Sequence, residues 1–156
     1  PVAGPMLIGA GLLQAARLAR WRGLAAAADA LVLILHVGYA WIPAGLLLLG
    51  AALAGAPIPV SAAIHALTAG AMATMVLAVM TRATLGHTGR ALEANSPTVF
   101  LYALVTLGAL LRVAAPLGLV DYRVGMEFAA VAWAGAFLLF LAVYGPILMR
   151  PRLGEG

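Results

Sequence analysis

The chain contains no cysteine. That excludes disulfides, thiolate zinc or copper sites, cysteine-ligated iron–sulfur clusters and covalent haem of the C-x-x-C-H type, so any metal must use histidine, methionine, carboxylate or carbonyl donors. Lysine is absent too, and the formal charge of +4 comes from arginine alone. Charge of either sign is scarce, at 9% of residues, against about 25% in an ordinary soluble domain. With 65% apolar residues and a mean hydropathy of +1.08, the composition points to lipid as the solvent. The 18 glycines and 9 prolines lie within apolar stretches instead of polar linkers, as in membrane helices, whose neighbours satisfy a freed backbone group. Nucleic acid is not an expected partner, because the arginines stand at the ends of apolar runs and form no basic stripe interleaved with aromatics. There is no nucleophile with a base and no phosphate loop, so hydrolysis and ATP-driven work have no support.

A membrane span needs about 20 apolar residues, and the rare charges mark the borders. No charged residue lies between Asp29 and Arg82, and Gly55-Ala56-Pro57-Ile58-Pro59 divides that stretch into spans over about 30–54 and 58–81. A third span covers about 97–120, opened by Asn95-Ser96-Pro97 with Ser96 as the expected cap, and a fourth covers about 125–149. Residues 1–16 are too short to cross comfortably and carry no charged leader, so they read as a partial N-terminal span whose beginning precedes Pro1. The expected fold is thus all-α, a polytopic transmembrane bundle of four full spans and one partial span in a single domain, 1–156. Arg17, Arg20, Arg22, Arg82, Arg90, Arg150 and Arg152 then fall on one side and Arg123 on the other. Loops 17–29 and 82–96 and the C-terminus are accordingly expected in the cytoplasm.

Polar residues inside spans are costly, which makes them candidates for function. His36 shares a helical face with Asp29 and Pro43, and it reads either as a ligand beside a proline-opened cavity or as a histidine hydrogen-bonded between helices. In the second span His65 is followed on nearly the same face by Met72, Val76, Val79 and Arg82. The other side is a stripe of small residues, Ala62, Ala66, Gly70, Thr74 and Ala78, which invites close approach of a neighbouring helix. Histidine with methionine suits copper(I) or haem iron, although methionine also serves as adaptable packing. His87 lies in the polar turn Thr84-Leu85-Gly86-His87-Thr88-Gly89-Arg90, where Arg82 and Arg90 could hold haem propionates or another anion. His36 and His65 differ in depth by about 15 Å of helix rise, which favours separate sites or ligands from elsewhere. Arg112, inside the third span, needs a partner, and Glu127 or Asp121 are the expected ones, with an anion anchor near His65 as the functional alternative. Trp133, Phe137, Phe140 and Tyr144 read as lipid-facing or packing aromatics.

The segments Leu35-His36-Val37-Gly38-Tyr39-Ala40-Trp41, His65-Ala66-Leu67-Thr68-Ala69-Gly70-Ala71-Met72, Leu77 through Arg90, and Leu110-Leu111-Arg112-Val113-Ala114-Ala115-Pro116 resemble the NnrS family. The run Met80-Thr81-Arg82-Ala83-Thr84-Leu85-Gly86-His87-Thr88-Gly89-Arg90 directly after a membrane helix is the most specific of these. The resemblance implies a multi-pass bacterial inner-membrane protein that binds haem b and copper and takes part in the response to nitric oxide, with nitric oxide itself as a possible ligand. His36, His65 and His87, the ligand candidates from the residues, all fall inside the resembling motifs, and the leading reading adds Met72 as a weaker ligand and Arg82, Arg90 and Arg112 as partners of anionic groups. Family members are longer, so the resemblance covers a C-terminal portion and implies further N-terminal helices as partners. A membrane oxidoreductase acting on nitric oxide or quinol would use the same ligands. A metal or ion transporter would instead use Arg112 and Glu127 along a path and keep no haem. A scaffold packed through the Ala62 to Ala78 stripe would carry no cofactor at all, and the residues alone do not separate these readings.

Overall fold

The computed structural model describes residues 2–21, 23 and 27–153; Pro1, Arg22 and the residues after Leu153, which enter the span and topology expectations, lie outside them. The described residues form helices and no strands. In chain order these are α1 (Ala3–Ala19), α2 (Ala30–Leu53), α3 (Val60–His87), α4 (Ser96–Ala114) and α5 (Tyr122–Leu148). The last four are long and apolar enough to cross a membrane. The protein is therefore an all-helical membrane protein with four full-length helices and a shorter leading one.

Side-chain caps and turn residues set the helix ends. The Asp29 carboxylate accepts from Leu31 N at 2.9 Å to start α2, and the Asp121 carboxylate accepts from Val124 N at 2.9 Å to start α5. At the start of α4 the cap is Asn95, accepting from Thr98 N at 3.0 Å, and not the expected Ser96, which is already helical. The α2–α3 connection turns at Gly55, whose φ of +97° suits a residue without a Cβ. Two helix ends differ from the sequence reading. As a helix, α3 continues past Thr81 to His87, because Thr84 and Thr88 bond back to the Met80 and Thr84 carbonyls and keep the polar end wound. Conversely α4 stops at Ala114, just before Pro116, and the chain reverses through Gly118 at φ +72°.

The long helix α3 contacts α2, α4 and α5, while α1 packs along α2 through Gly4, Gly11 and Gly50. Within α3 the segment Ala66–Met72 is a π-helix. Its origin is legible in the small-residue stripe. A four-residue repeat drifts by about 40° per step in an α-helix, so from Ala62 to Ala78 it would wander about 160° around the surface. A π segment accommodates roughly one extra residue and takes back about 100° of that drift. Ala62, Ala66, Gly70, Thr74 and Ala78 are consequently all buried. Gly70 lies so close to Trp41 of α2 that a Cβ there would sit 2.5 Å from the indole ring.

A core of Leu31, Leu77, Leu101, Val105 and Phe140 joins α2 to α5. Two hydroxyl pairs stitch its edge. Thr81 donates to the Ala78 carbonyl and so accepts from Tyr102, while Thr98 donates to Asn95 Oδ1 at 2.7 Å and so accepts from Tyr144 at 2.7 Å. A double-mutant cycle of Thr98→Val and Tyr144→Phe, followed by unfolding in denaturing detergent, is expected to give a coupling of about 0.6 kcal/mol, the usual size for such bonds between membrane helices. No coupling would mean that the α4–α5 contact rests on apolar packing alone.

Candidate functional site

A cavity of about 770 Å³ opens between α3, α4 and α5, within the range of small-molecule and cofactor sites. Its walls are mostly apolar: Ile64, Ala69 and Val76 of α3, Gly108 of α4, and Trp133 and Phe137 of α5. Against this background stand His65, Thr68, Met72 and Arg112. His65 is the last residue before the π segment and Met72 is the last residue within it, so the π segment is the wall that presents both. Thr68 spends its hydroxyl on the Ile64 carbonyl at 2.8 Å. His65 makes no hydrogen bond among the described residues, which leaves its ring nitrogens uncommitted at the cavity wall.

Arg112 departs from the expected ion pair. Glu127 pairs instead with Arg123, one turn earlier on the same helix, at 2.9 Å on the surface of α5, an i,i+4 contact that needs no inter-helix reach. Asp121 is occupied as the α5 cap. Arg112 thus has no acidic partner or hydrogen bond among the described residues, lines the cavity beside His65, and lies near enough for its charge to act on that imidazole.

The other sequence candidates lie elsewhere. His36 is half-buried on α2, where its Nδ1 donates to the Val32 carbonyl at 3.0 Å and Trp21 meets its ring edge-on at 5.9 Å. That bond places a proton on Nδ1, so that in the neutral ring Nε2 keeps its lone pair, the form in which an imidazole ligates a metal. Next to it Tyr39 is hydrogen-bonded to Gln14 of α1. His87 is exposed at the end of α3, and Arg90 reaches back to the Thr88 carbonyl at 3.4 Å. Arg82 is half-buried and does not line the cavity. The turn after His87 is held by Leu153, whose N–H donates to Thr88 O at 3.1 Å, and by Gly89 at φ +70°.

Of the seven candidates, His65, Met72 and Arg112 therefore stand together at the cavity, and His36, Arg82, His87 and Arg90 lie outside its lining. Among the described residues no three His, Asp or Glu side chains converge as a metal cluster. An apolar slot with one uncommitted imidazole, one thioether and one unpaired guanidinium fits haem, whose iron takes His or Met and whose propionates take Arg. The same donors do not complete a copper site. Sequence reading missed the aromatic wall, since Trp133 and Phe137, their rings 4.6 Å apart and tilted at 43°, line the cavity instead of serving only as lipid-facing or packing aromatics. Thr74, read from the sequence as part of the small stripe, has a buried hydroxyl with no partner among the described residues.

Fold and cavity together define a polytopic helical membrane protein with an open, mostly apolar groove between α3, α4 and α5 that carries a few polar groups. The chain belongs to the NnrS family: the family model described as NnrS protein matches residues 1–152, well beyond the segments that carry the sequence resemblance. Membership makes it a membrane protein related to the nitric oxide response. No curated protein and no solved structure matches it.

Proposed function

We propose that the chain binds haem b in the cavity between α3, α4 and α5, as an integral protein of the bacterial inner membrane acting in the nitric oxide response. One observation carries the reading: His65, Met72 and an unpaired Arg112 converge on one apolar chamber. In this reading His65 would ligate the iron, Met72 would be a weaker donor, and Arg112 would hold a propionate. When bound, haem supplies an iron that can change oxidation state and take a small diatomic ligand such as nitric oxide. The chain's own residues supply the rest: apolar walls exclude water, and Arg112 offsets carboxylate charge that lipid would otherwise penalise. His36, with a ligand-ready Nε2, and His87, near Arg82 and Arg90, are candidate donors for separate groups, copper included, with further ligands from outside the described residues. The arginine-rich ends at Arg17, Arg82 to Arg90 and Arg150 face the cytoplasm in this proposal.

The transporter reading has less support, because Glu127 is exposed, paired with Arg123 and absent from the cavity wall. The test is the reduced-minus-oxidised visible spectrum of detergent-purified protein from cells supplied with haem precursor. The wild-type chain is expected to show a Soret band that shifts on reduction. His65→Ala is expected to lose most of it, and Met72→Leu to keep the haem with altered band positions. A His65→Ala spectrum identical to wild type would remove haem from this cavity.

A further inference from the structure

A second hollow, about 500 Å³, lies at the C-terminal end of α1 and is lined by Leu13, Ala16, Arg17, Arg20 and Trp21. We propose that it binds the phosphate of an anionic phospholipid, phosphatidylglycerol in type, with the acyl-glycerol portion against the helix. Leu13, Ala16, Arg17 and Arg20 fall at spacings of three and four, so they share one face of α1 and stack along it. The guanidinium of Arg17 sits over the Trp21 ring at 5.5 Å from its centroid, which holds the charge in place while leaving N–H donors on its edge. Neither Arg17 nor Arg20 has an ion pair or side-chain hydrogen bond among the described residues. The nearest carboxylate in sequence, Asp29, is turned to Leu31 N as the cap of α2 and does not compete.

The carbonyl end of a helix disfavours an anion by about half a charge, and two full guanidinium charges exceed that. Arginine forks match phosphate oxygens, and an exposed tryptophan belongs at the depth of lipid headgroups. Exposed Leu13 and Ala16 give the hollow an apolar floor, which a lipid glycerol and acyl chain can cover and a soluble phosphate cannot. That floor distinguishes the two sources of one chemistry.

Native mass spectrometry of the purified chain, titrated with phosphatidylglycerol, phosphatidylcholine or inorganic phosphate, tests the assignment. The wild type is expected to retain phosphatidylglycerol over phosphatidylcholine. Each arginine near a membrane surface contributes roughly fivefold to anionic-lipid affinity, so Arg17→Gln with Arg20→Gln is expected to weaken retention about 25-fold. The Arg17→Lys, Arg20→Lys pair, which keeps the charge and loses the fork, is expected to fall in between, and both pairs are exposed changes that leave the helices intact by circular dichroism. Arg150→Gln with Arg152→Gln removes the same charge elsewhere and is expected to change retention little. Equal loss in the Arg17/Arg20 and Arg150/Arg152 variants would overturn the site in favour of diffuse attraction. Displacement of the lipid by millimolar inorganic phosphate would overturn the lipid as its occupant.

Discussion

Replacing Arg112 with leucine is expected to raise the thermal stability of the cofactor-free protein and to lower the amount of haem it retains. The two effects have one cause. Arg112 sits within α4 with no acidic partner among the described residues, since Glu127 is paired to Arg123 and Asp121 caps α5. An arginine at the centre of a span costs about 2.5–3.5 kcal/mol, and Arg112, in the last turn of α4, bears the part of that cost not recovered by reaching toward water or headgroups. Leucine relieves that cost in the empty protein. With haem bound as proposed, the substitution would remove the guanidinium's hydrogen bond to a propionate, an interaction of about 1.5–3 kcal/mol, or roughly 10- to 150-fold in affinity. Thermal melting in detergent, with and without haem loading, reads both effects. A leucine variant that melts earlier and retains haem normally would make Arg112 a structural residue with a partner after all.

Gly70→Val is expected to be among the most damaging single substitutions at the α2–α3 contact. A Cβ at Gly70 would lie 2.5 to 2.9 Å from three atoms of the Trp41 ring, and an indole in a packed interface has little room to give. Overpacking of this kind costs about 1–3 kcal/mol. The damage falls on the π segment, whose other side presents His65 and Met72, so lower stability and poorer haem retention are expected together. Combining Gly70→Ala with Trp41→Leu removes the opposing ring and is expected to recover much of the stability lost by Gly70→Ala alone. A Gly70→Ala protein as stable as wild type would show that α2 and α3 can move apart without loss.

The membrane-helix plan was legible because so few charges interrupt the chain: Asp29, Arg82 and the Asn95-Ser96-Pro97 stretch mark where apolar runs begin and end. The small stripe of α3 was legible as a contact surface. Its four-residue spacing over 62–78 also carried the signal of the π segment, because that spacing is too long for an α-helix to keep on one side. The separation of His36 from His65 followed from their depths. Arg112's lack of a partner did not follow from depth alone, because Arg123, four residues before Glu127 on the same helix, is that carboxylate's nearer partner, a relation the sequence does contain. The cavity itself was not legible, because it is defined by where three helices fail to touch and by the Trp133 and Phe137 faces turned toward it. No single-helix periodicity encodes that arrangement.

Chemical rescue tests the central claim most directly. His65→Gly should empty the imidazole position and leave the apolar chamber, Met72 and Arg112 in place. Purified with haem, this variant is expected to lack the wild-type Soret band and to regain it on addition of free imidazole, in a saturable way that Arg112→Leu weakens. A His65→Gly protein that keeps the wild-type band without imidazole, or that imidazole leaves unchanged, would contradict haem ligation by His65 in this cavity.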